Sequence, residues 1–230
     1  MCEWAPSSTV LDLGCGTGED AVFLAQHGFK VTGVDPSSGM IEQAMMKAKA
    51  ASVSPTFICL RAEDLSALPA GSFQGIISNF AALNNVEDFV GVLAQCARIL
   101  VPGGTMILCL LNQYCLWETA SFLLRGKPGK AFRRWHSDSV PANVGDGVVP
   151  VFYRSAHSVR NDAAEWFFVK RVFGLSVFAP PPSSLGFMGR FPRLSDRLST
   201  IDRSVGRWPV LRTMGDHVVI TLKRKGPATR

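Results

Sequence analysis

No address or metal-site pattern is written into these 230 residues. The six cysteines, Cys2, Cys15, Cys59, Cys96, Cys109 and Cys115, form no C-x-x-C pair, so neither a zinc site nor a redox pair is suggested. Most lie among apolar residues, where buried free thiols are expected, and that usage fits a reducing compartment. The amino terminus lacks a basic segment followed by an apolar one, so no signal peptide is read. No apolar run approaches the length that spans a bilayer, and Met106 to Leu111 is short enough to be a strand. No internal repeat is found. These absences leave a soluble, cytoplasmic protein as the expectation, and the length suits one domain with a substantial core.

What is present is unevenly distributed. Hydrophobic residues make up 47% of the chain, ordinary for a globular protein. The net charge of +6 conceals a split. Residues 1–100 hold five Lys or Arg against ten Asp or Glu, or −5, and residues 101–230 hold nineteen against eight, or +11. An acidic first half and a basic second half suggest that the second half faces something anionic, although a solvated basic surface explains the split equally well.

The most informative stretch is Val10-Leu11-Asp12-Leu13-Gly14-Cys15-Gly16-Thr17-Gly18, followed by Val31-Thr32-Gly33-Val34-Asp35. An apolar strand enters a glycine turn, a helix begins, and the next strand ends on an acid. An α/β sheet presents a nucleoside cofactor in this way. The dinucleotide fingerprint spaces its glycines G-x-G-x-x-G and places a pyrophosphate on the helix amino terminus. Here the spacing is G-x-G-x-G, and Glu19 and Asp20 follow at once. Two carboxylates suit the helix dipole but would repel a pyrophosphate. S-adenosylmethionine has no phosphate, and its sulfonium and ammonium outweigh its carboxylate. An acidic rim of Asp12, Glu19, Asp20 and Asp35 fits that cofactor.

These residues resemble the first two motifs of the class I S-adenosylmethionine-dependent methyltransferases, particularly the group containing the ubiquinone and menaquinone methyltransferases. The likeness continues through Ala62-Glu63-Asp64-Leu65, Phe73 to Asn79 and Leu100-Val101-Pro102-Gly103-Gly104, about half the chain. The resemblance implies that Gly14, Cys15, Gly16 and Gly18 lie under the methionine and ribose. It implies further that Asp12 positions the methionine end and Asp35 accepts the ribose hydroxyls. The adenine pocket is expected at Ala62, Glu63 and Asp64, though Arg61 stands where many relatives carry Asp or Asn. Only eight residues precede Thr9, whereas relatives have covering helices there. A truncated start, a lid from the carboxyl-terminal additions, or weak cofactor retention is therefore expected.

The expected fold is a Rossmann-like, doubly wound, mostly parallel seven-stranded sheet with substrate-side insertions. Strands are expected at 9–13, 30–34, 56–60, 75–78, 105–111, 171–178 and 217–223, with a further strand at 148–153. Helices are expected from Gly18 to about His27, at 39–50 capped by Ser38, and at 86–100 capped by Asn85 with Asp88. Further helices are read at 114–124, 156–167 and 192–205, the last closed by Gly206. Residues 125–134 read as a basic, glycine-broken stretch, continuing as a polar loop to Asp146. The whole is read as one domain over 1–230. Residues 1–111 form its cofactor half, 112–216 its substrate-side additions, 217–223 its last strand and 224–230 a frayed tail.

Methyl transfer needs an in-line approach to an already activated methyl group, so orientation and desolvation can suffice without a catalytic side chain. Asn79 and Phe80, at the end of a strand, are placed against the methionine portion and the sulfonium, with core packing the equal alternative for Phe80. Asn84 stands where some relatives carry a histidine, which favours orientation over proton abstraction. Tyr114 and Glu118 are the weak candidates for catalysis, and a solvated helix glutamate is the weightier reading of Glu118. His136 and His157 read as surface or capping residues.

Two basic segments stay ambiguous. Leu194, Leu198, Ile201 and Val205 form an apolar stripe amid Arg190, Arg193, Arg197, Arg203 and Arg207. Such a helix can rest on an anionic membrane or pack its stripe into the core, and the core carries more weight. The stretch 125–134, flanked by Phe122, Phe132 and Trp135, shares the ambiguity. The expected function is methyl transfer from S-adenosyl-L-methionine to a small, apolar or lipid-like acceptor. The alternatives are an RNA methyltransferase using the basic half, which has no recognised RNA-binding module, and a non-catalytic cofactor-binding partner protein.

Overall fold

Short apolar runs alternate with helix-forming segments, and in the computed structural model they become a sheet. The structure describes residues 4–135, 139–144, 147–181 and 189–226. Strands β1 (Thr9–Leu13), β2 (Lys30–Asp35), β3 (Thr56–Cys59), β4 (Phe73–Ser78) and β5 (Leu100–Leu111) alternate with helices α1 (Glu19–Gln26), α2 (Ser38–Ala50) and α3 (Phe89–Ile99). Beyond them lie α4 (Leu116–Leu124), α5 (Pro128–Ala131), β6 (Val140–Val144), β7 (Gly147–Val151), α6 (Ala156–Asp162), β8 (Phe167–Leu175), α7 (Pro192–Val205) and β9 (His217–Arg224). Seven strands form one mixed, mostly parallel sheet in the order β3-β2-β1-β4-β5-β9-β8, a Rossmann-like arrangement.

The parallel pairs β1–β2, β1–β4, β2–β3 and β4–β5 fix the functional edge. Their registers run Asp12↔Gly33 and Asp35↔Cys59, so β1, β2 and β3 end at one edge of the sheet. Leu11, Leu13, Ile76, Met106 and Leu108 are essentially sealed from solvent. Covered on both faces, a parallel sheet needs such continuous apolar runs. Helix α3 buries Phe89, Val92, Leu93, Cys96, Ala97 and Ile99. Truncating Leu93 to Ala would cost about 2–5 kcal/mol.

Several boundaries differ from the sequence reading. The α2 cap is Ser37, whose hydroxyl accepts from Met40 N at 3.3 Å. Helix α3 starts at Phe89, not Val86, because Asp88 caps it by accepting from Gly91 N at 2.9 Å. Strand β5 starts at Leu100, and the register shift between Phe73 and Gly75 absorbs the Pro-Gly-Gly segment, with Gly103 at φ 75°. Helix α6 ends at Asp162, and Phe167-Phe168-Val169 open β8 four residues before Arg171. Aromatic and β-branched residues suit a strand once a neighbour pairs with them.

Strand β6, in a stretch read as polar loop, pairs antiparallel with β7, read as a strand at 148–153, and places Pro141 opposite Pro150. Both strands of a two-stranded ribbon are edges, so a missing N–H is tolerated. His136, much of the 180–184 connection and the tail after Gly226 lie outside the described residues. Packing divides the chain into two compact units, residues 1–108, 160–170 and 221–230, and residues 109–159 and 171–220. Among the described residues, no helix is long and apolar enough to cross a membrane.

Candidate active site

The glycine turn after β1 is built from left-handed backbone. Gly14, Gly16 and Gly18 sit at φ 77°, 51° and 78°, where a side chain is costly. The three glycines differ in what surrounds them. A Cβ on Gly14 would lie 2.3 Å from the Ala82 methyl, and one on Gly18 would lie 2.8 Å from Ala44. A Cβ on Gly16 would meet nothing within 4 Å. Gly14 and Gly18 are therefore closed in by protein, whereas Gly16 faces open space.

Backbone donors tie the turn to the end of β2. Gly14 N and Cys15 N both donate to Val34 O at 2.9 Å. Gly16 N donates to one Asp35 carboxylate oxygen at 2.9 Å, and Ser37 N donates to the other at 2.9 Å. Each oxygen retains acceptor capacity, since an ionised carboxylate offers about four lone-pair sites. Asp35 thus spans two loops and can still receive two further donors. The neighbouring Cys15 thiol is buried, and desolvation with the charges of Asp12 and Asp35 pushes its pKa up to about 12.

Asp12 is the unusual group. It is 2% exposed, and among the described residues its Oδ2 has no hydrogen-bond partner. Burial, followed by repulsion from Asp20, raises its carboxyl from 3.8 to about 7; Asp35 adds to this, and the Ala21 N–H opposes it. A buried acceptor without a partner is costly and asks for a cationic or donating ligand. The rest of the acidic rim is partly occupied. Lys47 Nζ donates to Thr17 Oγ1 at 3.1 Å and pairs with Glu19. Asn79 Nδ2 donates to Asp20 Oδ2 at 3.0 Å.

The ends of β3 and β4 carry the remaining expected residues. Ala62, Glu63 and Asp64 open a 3-10 helix, Ala62–Ala67, after β3. Glu63 pairs with Arg61 at 3.3 Å, and its carbonyl accepts from Gln95 at 2.6 Å. Asn79 Oδ1 accepts from Phe80 N at 2.9 Å. Phe80 and Ala81 both have positive φ, 48° and 62°, and Phe80 is 79% exposed. That exposure rules out core packing for Phe80. Asn84 is fully buried. A separate concavity of about 580 Å³ opens at the other ends of the strands, lined by Thr9, Lys30 and Thr56 among others. Ligands of open α/β sheets sit at the carboxyl ends, where Asp12 and Asp35 are.

In the other unit, Tyr114 stacks edge-on to Trp135 with ring centroids 5.4 Å apart. Glu118 accepts from Arg133 Nε at 2.7 Å and from Arg134 Nη2 at 2.5 Å. Burial alone would raise its carboxyl, but the two guanidiniums hold it below the ordinary value. Glu118 is neither solvated nor suited to take a proton near neutrality. Arg134 also reaches Asp216 at 2.9 Å, and its guanidinium lies 4.8 Å from the Tyr153 ring centre.

Residues 10–104 match the model of the methyltransferase domain family. The chain carries a class I S-adenosylmethionine-dependent methyltransferase domain. A ubiquinone biosynthesis O-methyltransferase from Xanthomonas campestris pv. campestris is 33% identical to this domain over 108 residues, covering 47% of this chain and 45% of the relative. The chain thus spans less than half the length of that curated relative. Two solved S-adenosylmethionine-dependent methyltransferases share the fold across almost the whole chain. That from Methanosarcina mazei is 17% identical with a TM-score of 0.66, covering 97% of this chain and 95% of its own. That from Mesorhizobium loti is 17% identical with a TM-score of 0.62, covering 95% and 92%.

S-adenosylmethionine is the methyl donor of this methyltransferase domain. The residues present fit it on two observations. The unpartnered Asp12 oxygen suits a cationic group, and the open space at Gly16 lets a ligand approach the backbone. Sequence reasoning gave Ala82 and Lys47 no contact with the glycine turn, which both make. Neither had a local signal, since Ala82 closes Gly14 and Lys47 clips Thr17 and Glu19 only in the folded chain.

Proposed function

We propose that the protein transfers the methyl group of S-adenosylmethionine to a small, lipid-like acceptor by direct displacement. The observation that carries the reading is Asp12, a buried carboxyl whose Oδ2 has no partner among the described residues, at the carboxyl end of β1 beside three left-handed glycines and Asp35. When bound, S-adenosylmethionine supplies an electrophilic methyl group. Asp12 would hold the ammonium of its methionine portion, and its buried charge gains most from a cation. Asp35, already oriented by Gly16 and Ser37, would accept the two ribose hydroxyls. Gly14, Cys15, Gly16 and Gly18 would form the floor, with Ala62, Glu63 and Asp64 beside the base.

Asn79 and Phe80 would border the methyl group. The exposed Phe80 ring offers an aromatic face beside a cation. The acidified Glu118 supports orientation rather than proton abstraction as the protein's contribution. Similarity to a ubiquinone biosynthesis O-methyltransferase supports the small-molecule choice.

Calorimetry with S-adenosylhomocysteine tests the cofactor site, with Asp35→Ala as the control. Wild type is expected to bind, and the variant to lose detectable binding. Labelled methyl transfer to a lipid extract or to RNA then tests the acceptor. Label on RNA alone would refute the small-molecule reading, and no binding of S-adenosylhomocysteine would refute the enzyme.

A further inference from the structure

Helix α7 shows part of its apolar stripe, Leu194 and Ile201, to solvent. The side chains that α7 buries are Ser195, Asp202 and Val205. Asp202 fixes that orientation, because its carboxylate accepts from Phe178 N at 2.9 Å and from Ala179 N at 3.1 Å. These bonds use a buried carboxylate as an anchor, which sets the rotation of the helix about its axis. Leu194 and Ile201, seven residues apart and so on one helical face, are left 46% and 47% exposed. Trp208 and Val210, just beyond the helix, are 59% and 69% exposed. The expectation that the stripe belongs to the core therefore fails along its outer edge.

Arginines surround these apolar groups. Residues 189–213 contain Arg190, Arg193, Arg197, Arg203, Arg207 and Arg212, against Asp196 and the anchored Asp202. Among the described residues, Arg193, Arg197, Arg203 and Arg207 make no ion pair. A concavity of about 410 Å³ at the start of the helix is lined by Arg190, Phe191, Pro192, Arg193, Leu194 and Arg197. Aliphatic groups at one level with guanidiniums beside them match the boundary between acyl chains and anionic headgroups.

We propose that the α7 face, from Phe191 through Val210, docks the protein on an anionic lipid bilayer. Leu194, Ile201 and Trp208 would enter the headgroup–acyl boundary while the arginines meet lipid phosphates. Two other occupants fit less well. RNA phosphates would satisfy the arginines but leave Leu194 and Ile201 without purpose, since single strands are gripped by aromatic stacking. A second copy in an isologous contact would set arginine against arginine. The proposal stands apart from the methyl-transfer reading and would survive its failure.

The test is co-sedimentation of the full chain with vesicles of equimolar phosphatidylglycerol and phosphatidylcholine, and with phosphatidylcholine alone. Binding is expected only to the anionic vesicles, and it should weaken as salt rises. Each arginine removed is expected to weaken it about five-fold. Arg193→Gln combined with Arg197→Gln should therefore lower it about 25-fold. Leu194→Ser with Ile201→Ser should lower it at least ten-fold, on the order expected for removing two partly buried aliphatic groups. Both pairs are exposed, so thermal unfolding and S-adenosylhomocysteine binding should match wild type. Phe168→Ser, at an exposed aromatic outside the α7 segment, should leave vesicle binding unchanged. Absence of binding to anionic vesicles, equal binding by the α7 variants, or salt-sensitive binding to an RNA oligomer in place of vesicles would overturn the proposal.

Discussion

Asn79 joins the end of β4 to the first turn of α1 through Asp20, Nδ2 to Oδ2 at 3.0 Å. The same side chain accepts from Phe80 N, where the backbone turns left-handed over two non-glycine residues. Such conformations cost of order 1–3 kcal/mol each and persist only where the surroundings impose them. Asn79 is part of that imposition. Asn79→Ala should therefore release the Phe80–Ala81 turn and weaken S-adenosylhomocysteine binding, with a stability loss of about 1–2 kcal/mol. Asp20→Asn keeps a partner for the Asn79 amide and should lose less. Equal affinity in wild type and Asn79→Ala would show that this turn does not matter to the site.

The buried Asp12 makes a prediction with a sign. A group whose folded pKa is raised contributes stability that is full below its unfolded value and lost as pH rises through the folded one. For Asp12 those limits are 3.8 and about 7. Free protein should lose stability across that window, and Asp12→Asn should not. The variant is thus expected to be the more stable at about pH 8, by a few kcal/mol, with no advantage near pH 4. Ligand affinity should run the other way. Below about pH 7, a cation needing ionised Asp12 should bind wild type about ten-fold more weakly per pH unit, and the slope should vanish in Asp12→Asn. Urea unfolding and calorimetry across pH read both effects.

Glycines in one turn separate folding from binding. Gly14→Ala drives a methyl into Ala82 as well as adopting φ 77°, so it should destabilise the domain by several kcal/mol. Gly16→Ala meets no neighbour and should cost about 1–2 kcal/mol, the left-handed penalty alone. If ligand approaches the backbone at Gly16, that milder variant should still lose S-adenosylhomocysteine binding by at least ten-fold. Retained affinity in Gly16→Ala would remove Gly16 from the cofactor floor.

Legibility in the sequence followed the range of the interactions. Strands β1 and β4 are mostly buried runs, such as Val10-Leu11 and Ile76, and their period and punctuation are local. The Gly14–Gly18 turn and Asp35 were readable for the same reason, since strand, turn and helix are contiguous. Contacts closing over long separations were not. The Asp202 anchor to Phe178 and Ala179 decides which way the α7 stripe faces, and no helical period encodes it. Likewise Glu118 looks like a surface glutamate until Arg133 and Arg134 fold back on it. Strand β6 was hidden by Pro141, which speaks against a strand unless that strand is an edge, whereas 148–153 was read as a strand despite Pro150.

Arg134 tests how a buried charge is kept. It lies between Glu118 and Asp216, and Asp216 also accepts from His217 Nδ1 at 2.9 Å. Burial would raise the Asp216 carboxyl, but His217 and Arg134 hold it below its usual value. Its stabilisation is therefore present above the ordinary carboxylate pKa and lost as pH falls through the lowered one. Arg134→Met leaves Glu118 with Arg133 alone and Asp216 with His217 alone, and should cost about 3–5 kcal/mol near neutrality. Part of that loss should be recovered at acid pH, where the two less fully compensated carboxylates can protonate. Glu118→Gln separates structure from catalysis. A general base lost from the reaction would lower kcat/KM by about 10²–10⁴ and erase a limb of its pH profile. The expected result is lower thermal stability with the pH profile of methyl transfer unchanged. Loss of the basic limb with stability intact would return Glu118 to the chemistry.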